Sequence, residues 1–322
     1  MTGVLVTGAT GFVGRSLCQR LVERGWRVRA AVREGASAGA VLPLTVEASV
    51  VGDLDQEPDW TNALTDMDHV VHLAGRVPTP GAEPDEDCYQ RTNVEASARL
   101  ARAAATAGVR RLVFASSVKV LGEHSGNRPL RSDDPPRPAD AYARSKLAAE
   151  RALGEALAGG PTELVIVRAP MVYGPGAGGN FLRLTEAVLA GQWLPIGGIG
   201  ARRSMICVDG LCDFLERCLG HPGAVGAPLL VADPEDLTVA ELVRRLGALL
   251  HRRPRILRVP AGLLRVVGSA TGRSDEVRRL IEPLQVDLAA TRQRLQWQPS
   301  DPSECLAATV KWLLNARTDT GG

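Results

Sequence analysis

Residues 141–150 read AYARSKLAAE and place a tyrosine and a lysine four positions apart. The segment is rich in Ala, Leu, Lys and Glu, which favour helix. Tyr142 and Lys146 are therefore predicted to lie on one helical face, one turn apart. A free phenol has a pKa of about 10, and a nearby ammonium stabilises the phenolate. The pair predicts a general acid/base, although an ordinary solvated helix face has the same spacing.

A second candidate for chemistry lies near the N-terminus, where residues 7–14 read TGATGFVG. A buried strand is predicted before this loop, and a helix is predicted to begin near Phe12. Gly8, Gly11 and Gly14 would allow a tight turn and a close approach of the backbone to a pyrophosphate. The helix N-terminus would bind the phosphates through its unpaired N–H groups. The loop predicts a dinucleotide site, with a glycine-rich turn that binds nothing as the alternative.

Both candidate sites depend on the elements that position them. Short apolar, β-branched segments alternate with helical patterns in the first half of the chain. This alternation predicts an α/β fold, a Rossmann-type, doubly wound parallel sheet covered by helices on both faces. After about residue 170 Gly and Pro become dense, and helices dominate from 238 onward. We expect an NAD(P)-binding core over 1–170. A smaller, mixed, mainly substrate-binding part is expected over 171–322, and this part could also contribute strands to the sheet of the core.

Composition excludes several classes of function. The 322 residues are 45% hydrophobic and 23% charged with a formal net charge of +2, which is ordinary for a globular protein and argues against a nucleic-acid partner. No segment approaches the ~18 apolar residues of a membrane span, and the N-terminus lacks the basic leader of a signal peptide. We therefore predict a cytoplasmic protein with no membrane partner. The six cysteines form no C-x-x-C pair, so reduced thiols and no metal site are expected.

Taken together, the motifs resemble the extended branch of the short-chain dehydrogenase/reductase superfamily, the NAD-dependent epimerase/dehydratase type. The resemblance covers residue 1 to about residue 300. Leu121 departs from it, because the family usually has a tyrosine there. The matching motifs, in order, are TGATGFVG at 7–14, GDL at 52–54, HLAG at 72–75, TNVEASARLARAA from 92, FASSVKVLGE at 114–123, YARSK at 142–146 and VRAPMVYGPG at 167–176.

The resemblance implies a catalytic set of Ser117, Tyr142 and Lys146. Tyr142 would be the acid/base, and Lys146 would hold the nicotinamide ribose and, with a positive nicotinamide, lower the phenol pKa. Ser117, five residues before Gly122, would hydrogen-bond the substrate oxygen. Ser116 is assigned a supporting role on the substrate, although neighbours on a strand point to opposite faces.

The resemblance also implies the cofactor contacts, among which Asp53 would meet the adenine. Val32 stands where an acid would select NAD, and Arg33 after it could pair with a 2′-phosphate. NADP is therefore slightly favoured over NAD, while Glu34 could turn to the ribose and Arg33 could be a solvated charge. The predicted cofactor residues are Gly8, Thr10, Gly11, Phe12, Val13, Arg33, Asp53, Leu54, Leu73, Ala74, Gly75, Asn93, Tyr142, Lys146 and Pro170.

On the substrate side, extended-branch enzymes act mostly on nucleotide-diphosphate sugars. The stretch that begins GGNFLRLTEAVLAG resembles the uridine-diphosphate pocket. It implies that Asn180 and Phe181 contact the base or diphosphate and that Arg203 contacts the diphosphate. Arg278 or Arg279 would reach the same group; the register is ambiguous, and Arg279 is our choice.

The subgroup that the chain resembles contains UDP-glucose 4-epimerase-like proteins and UDP-4-keto-sugar reductases, which share their catalytic residues. The leading hypothesis is reduction at C4 of a UDP-4-keto-hexose(amine) in cell-surface polysaccharide synthesis, because Val32 and Arg33 suit an exchangeable NADPH. The alternative is a UDP-hexose 4-epimerase with tightly bound NAD. A non-catalytic dinucleotide sensor is a third hypothesis, disfavoured because both Tyr142 and Lys146 are present. A homodimer remains one option for the assembly.

Overall fold

The computed structural model describes residues 2–35, 41–78 and 84–319. Strands and helices alternate through its first half. The described strands are β1 (Gly3–Thr7), β2 (Arg27–Val32), β3 (Glu47–Val50), β4 (His69–His72), β5 (Arg111–Ser117), β6 (Glu163–Ala169), β7 (Met171–Tyr173), β8 (Trp193–Leu194), β9 (Arg202–Arg203), β10 (Met205–Cys207), β11 (Leu229–Leu230), β12 (Leu237–Thr238) and β13 (Arg255–Ile256).

The helices complete this framework, and a π-helical turn, Gln90–Glu95, joins the third to the fourth. The described helices are α1 (Phe12–Glu23), α2 (Thr61–Leu64), α3 (Glu86–Tyr89), α4 (Ala96–Thr106), α5 (Ala141–Leu157), α6 (Gly179–Leu189), α7 (Val208–Gly220), α8 (Val239–Leu249), α9 (Ala261–Ala270), α10 (Ser274–Ile281), α11 (Ala289–Leu295) and α12 (Ser303–Asp319). None of the helices in the described residues is both long and apolar enough to cross a membrane.

Seven strands form one parallel sheet in the order β11–β6–β5–β4–β1–β2–β3. The chain runs outward from β1 to β3 and then begins again at β4 on the other side of β1. The strand order therefore reverses between β1 and β4. Open α/β sheets bind ligands at the carboxyl ends of the strands beside such a reversal. The predicted Rossmann-type doubly wound fold is confirmed.

The strands of this sheet are apolar on both faces because helices cover both faces. Val4 and Val6 of β1 join the core that contains α1 and α7. Leu5 between them joins the core that contains α4 and α5. All three side chains are fully buried, so a strand without polar alternation is required here.

The region after residue 170 mainly builds small two-stranded sheets, which pair β10 with β7, β12 with β9 and β13 with β8. β11 differs, because it pairs in parallel with β6 and extends the central sheet. The sheet therefore reaches beyond the segment 1–170.

Two of the six cysteines are bonded to each other. Cys207 at the end of β10 and Cys305 in the first turn of α12 form a disulfide, so the expectation that all thiols are reduced is wrong. The two residues are separated by 98 positions, and only the tertiary packing of α12 against β10 brings them together. The free thiols are Cys18, Cys88, Cys212 and Cys218.

Candidate active site

Helix α5 presents the Tyr142–Lys146 pair at the carboxyl end of β5. Asp140 begins the helix as its N-cap, and its carboxylate accepts a hydrogen bond from the Ala143 amide at 2.7 Å. The Lys146 Nζ donates to the carbonyl oxygen of Ala115 in β5 at 2.8 Å. Capping and this bond to the strand fix where both side chains of the pair lie.

The two serines at the end of β5 point to opposite sides. The Ser117 side chain faces the phenol of Tyr142, and its hydrogen bonding lowers the phenol pKa against burial, which raises it. The Ser116 hydroxyl instead donates to the Glu150 carboxylate at 2.5 Å in a buried position. The supporting substrate role assigned to Ser116 is therefore wrong, because successive side chains of a strand face opposite ways.

Burial dominates the ionisation of both catalytic groups. It raises the pKa of Tyr142 to about 12, against the hydrogen bond from Ser117 and with a further upward contribution from Asp140. Burial lowers the pKa of Lys146 to about 8, and Glu150, one turn along the helix, opposes this change. The protein alone thus does not lower the phenol pKa. An oxidised nicotinamide ring would add a positive charge when bound, and a nearby positive charge lowers the pKa of a phenol.

The glycine turn after β1 fits a pyrophosphate. Gly8 has a φ of +67°, and a Cβ at Gly14 would lie 2.1 Å from the Gly8 carbonyl oxygen. Helix α1 begins at Phe12, with Gly11 as its N-cap and no side-chain capping bond. Its leading N–H groups are therefore left to bind phosphate oxygens. The residues present fit a dinucleotide cofactor.

Polar side chains behind the turn link β1, β4 and α5. The Thr7 Oγ1 and the His72 Nδ1 lie 2.7 Å apart, and the His72 Nε2 lies 2.9 Å from the Ser97 Oγ. Burial lowers the pKa of His72 to about 3, so His72 is a neutral hydrogen-bonding link. Asn93 in the π-helical turn donates to the Ser145 Oγ at 2.9 Å. This network ties the cofactor side of the sheet to the catalytic helix.

The other predicted cofactor residues lie along the same edge with different exposure. The Arg33 side chain is 68% exposed, and its Nη1 lies 4.0 Å from the Asp53 Oδ2. Arg33, the predicted contact of a 2′-phosphate, and Asp53, the predicted contact of the adenine, thus lie near each other. Thr10, Gly11 and Gly75 are exposed, Phe12, Val13, Leu54, Leu73 and Ala74 are half-buried, and Asn93 and Pro170 are buried.

On the substrate side, cations gather around the buried carboxylate of Glu123. Arg278 donates to Glu123 at 2.9 Å, and the Arg279 Nε lies 3.8 Å from it. The Lys119 Nζ lies 3.6 Å from the same group. Arg203 donates to the Arg279 carbonyl at 2.6 Å. The predicted arginines converge, whereas Glu123 and Lys119 were missed although both stand in the FASSVKVLGE motif.

A cavity of ≈ 400 Å³ adjoins this cluster, and Glu123 and Arg278 are among the residues that line it. The Ser125 Oγ, also of its lining, is buried without a hydrogen-bond partner among the described residues. A polar group of a bound ligand would satisfy it, since buried hydroxyls are normally paired.

Helix α6 gives a mixed outcome for its two predicted substrate residues. Asn180 is exposed in the first turn, where it is free to contact a ligand. Phe181 is 3% exposed and stacks on Tyr173 with ring centroids 5.2 Å apart. The predicted contact of Phe181 with substrate is contradicted, because its ring is part of the core.

Residues 4–232 match the sequence model of the NAD dependent epimerase/dehydratase family. The chain belongs to this family. The UDP-glucose 4-epimerase of Vibrio cholerae is 35% identical over 301 residues, which cover 92% of this chain and 90% of that protein. The structure of MoeE5 in complex with UDP-glucuronic acid and NAD is 28% identical with a TM-score of 0.77, covering 98% and 99% of the two chains. The UDP-glucuronic acid 4-epimerase of Bacillus cereus, in complex with NAD, has the same fold, with 21% identity, a TM-score of 0.79 and coverage of 98% and 99%.

Family membership confirms the predicted extended short-chain dehydrogenase type and an NAD-dependent enzyme. The preference for NADP that Arg33 suggested is not supported, because the 28% identical MoeE5 structure contains NAD. The 35% identical relative carries the name of an epimerase, which is the alternative hypothesis of the sequence analysis and not the leading one.

Proposed function

We propose that the protein is a UDP-hexose 4-epimerase that keeps its NAD through turnover. The observation that carries this proposal is the meeting of Ser117, Tyr142 and Lys146 at the sheet edge, next to the glycine turn. The relative that is 35% identical and named UDP-glucose 4-epimerase supports the choice of substrate.

In this reaction Tyr142 accepts the proton of the C4 hydroxyl group, and Ser117 donates a hydrogen bond to the same oxygen. NAD, held by the glycine turn, would supply the group that accepts and returns the C4 hydride. Tyr142 would give the proton back to the C4 oxygen after the sugar has turned its other face. The Lys146 ammonium stabilises the phenolate between the two half-reactions.

The cations around Glu123 would hold the diphosphate. Arginine forks match phosphate oxygens. Arg278 lines the cavity, Arg279 approaches the same Glu123 carboxylate, and Arg203 bonds to the Arg279 carbonyl. Glu123 holds Arg278 and Arg279 in the free protein, whereas Arg203 donates to the carbonyl oxygens of Arg279 and Glu282. A diphosphate would share these arginines. Binding energy from this remote group would place C4 against the catalytic set.

A UDP-4-keto-sugar reductase is the second candidate. It is favoured by the end of β2, where Val32 and Arg33 stand and neither is a carboxylate. The 2′-phosphate of an exchangeable NADPH would not be repelled there. The two candidates differ in whether the cofactor stays bound.

The test is to purify the protein, denature it and quantify the nicotinamide released. In parallel, UDP-glucose and UDP-galactose are supplied without added cofactor, and interconversion is followed by chromatography. We expect NAD to be released and both sugars to interconvert. A protein free of NAD that oxidises NADPH only in the presence of a UDP-4-keto sugar would establish the reductase instead. No reaction with any UDP-sugar would refute the substrate class.

Matched variants assign the residues. Tyr142→Phe is expected to slow interconversion by ~10²-fold or more while NAD remains bound. Ser117→Ala is expected to lose activity, whereas Ser116→Ala is expected to keep it, because the Ser116 hydroxyl faces Glu150. Equal effects of the two serine variants would contradict the assignment.

A further inference from the structure

Helix α9 turns apolar side chains toward solvent. Its inward face carries Leu264 and Gly268, which are buried. The large apolar residues on its outer side are Leu263, Val266 and Val267, at 54%, 65% and 50% exposure. Residues spaced i, i+3 and i+4 lie on one side of a helix. A surface helix normally has polar residues on that side, so α9 is apolar inward and outward.

The chain next to α9 adds two more exposed apolar side chains. Trp193 of β8 is 61% exposed, and Leu257, just after β13, is 43% exposed. Strands β8 and β13 are paired in parallel, and the Arg255 guanidinium lies 5.5 Å from the Trp193 ring centroid. We call Trp193, Leu257 and the outer side of α9 the apolar stripe.

The sequence from α8 through α9 is rich in arginine, and acids return only with Asp275 and Glu276 in the first turn of α10. Between Leu242 and Ser274 the sequence contains eight arginines and no Asp or Glu. Only Arg245 forms an ion pair with a carboxylate of the described residues, that of Glu235. The exposed members of the set are Arg244, Arg252, Arg253, Arg255, Arg258, Arg265 and Arg273.

We propose that the apolar stripe and its arginines bind the surface of a bilayer that contains anionic lipids, with α9 lying in the interface plane. Apolar side chains on such a helix enter the boundary between headgroups and acyl chains, and arginines pair with lipid phosphates. Tryptophan is favoured at the same depth. The charge of the surface is therefore complementary to its partner.

Other partners fit less well. A second copy docked on this face about a two-fold axis would set Arg258 and Arg265 close to the same arginines of its partner, and like charges repel. A nucleic acid would use the arginines but would leave Leu263, Val266 and Val267 in water. Only an anionic lipid surface uses both features.

The position of α9 gives this binding a consequence for the cleft. Gly268 packs so closely on α10 that a Cβ there would lie 2.8 Å from the Val277 Cγ2. Arg278, the next residue of α10, lines the ≈ 400 Å³ cavity. A bilayer held by α9 would thus lie one helix away from the candidate substrate site.

The test is co-sedimentation of the full chain with vesicles of phosphatidylethanolamine and phosphatidylglycerol, against vesicles of phosphatidylcholine alone, over a range of salt. We expect binding only to the anionic vesicles, weakening as salt rises. Val266→Glu is expected to reduce the partition coefficient at least ~10-fold. Arg258→Gln with Arg265→Gln should reduce it by about 25-fold, since each basic residue near the surface contributes a factor of about 5.

The matched control is Leu44→Glu, a change of the same kind at a side chain that is 97% exposed elsewhere on the surface; it should leave binding unchanged. Circular dichroism and Tm confirm that every variant is folded. No binding of the wild-type protein to anionic vesicles overturns the proposal, and so do equal losses for Val266→Glu and Leu44→Glu. If vesicles do not bind and Val266→Glu turns an oligomer into a monomer, the stripe is an interface between copies instead.

Discussion

Glu150 anchors a buried charge pair behind the catalytic helix, and its replacement by Gln tests both stability and catalysis. Arg168 donates to the two carboxylate oxygens at 2.9 and 2.6 Å. Both side chains of the pair are almost fully buried, and Ser116 adds a third hydrogen bond. Gln keeps the shape of Glu150 but removes the charge, so the Arg168 guanidinium remains buried without its counter-ion.

Breaking a buried pair in this way costs about 3–5 kcal/mol of the free energy of unfolding. A second ion pair provides a control, because Arg111 of β5 pairs with Glu163 of β6, whose side chain is 47% exposed. The Arg111 guanidinium keeps its bonds to the carbonyl oxygens of Cys218 and His221 and the lost carboxylate is half-exposed, so Glu163→Gln is expected to cost about 1 kcal/mol. The double replacement Glu150→Leu with Arg168→Met removes both charges and should regain most of the loss.

The same substitution should shift the pH dependence of turnover. Burial lowers the pKa of Lys146 to about 8, and Glu150 opposes that change. Without Glu150 the pKa of Lys146 falls further, so the ammonium that we propose as the stabiliser of the Tyr142 phenolate is lost at a lower pH. The alkaline limb of kcat should therefore move to lower pH in Glu150→Gln. At a pH well below both values, Lys146 has the same charge in the two enzymes.

Guanidinium unfolding, followed by circular dichroism, measures the free energy of unfolding of each variant. The position of the alkaline limb is obtained from kcat measured between pH 6 and 10. If Glu150→Gln and Glu163→Gln destabilise the protein equally, the buried pair is not the cause. If the alkaline limb stays in place, Glu150 does not control Lys146.

Three further outcomes are expected. Asp140→Asn retains an N-cap residue and removes a carboxylate that raises the pKa of Tyr142, so the limb that reports the phenolate should move to lower pH; an unmoved limb contradicts this. Gly14→Ala puts a Cβ 2.1 Å from the Gly8 carbonyl and should lower both Tm and NAD content, whereas full NAD content would exclude the cofactor turn. Cys305→Ser should cost ~2–4 kcal/mol of unfolding free energy against oxidised protein, and nothing against protein reduced with dithiothreitol.

The sequence predicts best what depends on local spacing. The alternation of strands and helices, the glycine turn, and the Tyr142–Lys146 pair follow from periods of a few residues, and the structure contains all three. Ser116 was misassigned because the choice between neighbours depends on which face of β5 meets the cleft. Cys207 and Cys305 were missed because their contact depends on packing between distant segments.

The composition of the whole chain does not predict features that depend on the positions of its charged residues. The net charge of +2 predicts no polyanionic partner, yet eight arginines without an acid occupy 242–274. The prediction of no membrane partner rested on the lack of a spanning segment, which does not bear on a helix that lies on a surface. Glu123 was missed for a related reason, since its role depends on arginines that lie about 155 positions away.

Strand β11 has a consequence for protein engineering. Leu229 and Leu230 bond to Val167 and Arg168 and so cover the outer edge of β6. A fragment that stopped at residue 170 would expose that edge, and an open strand edge is a template for pairing with other chains. Such a fragment is expected to aggregate. New specificities should therefore be introduced by exchanging loops within the complete chain, rather than by transplanting its first 170 residues.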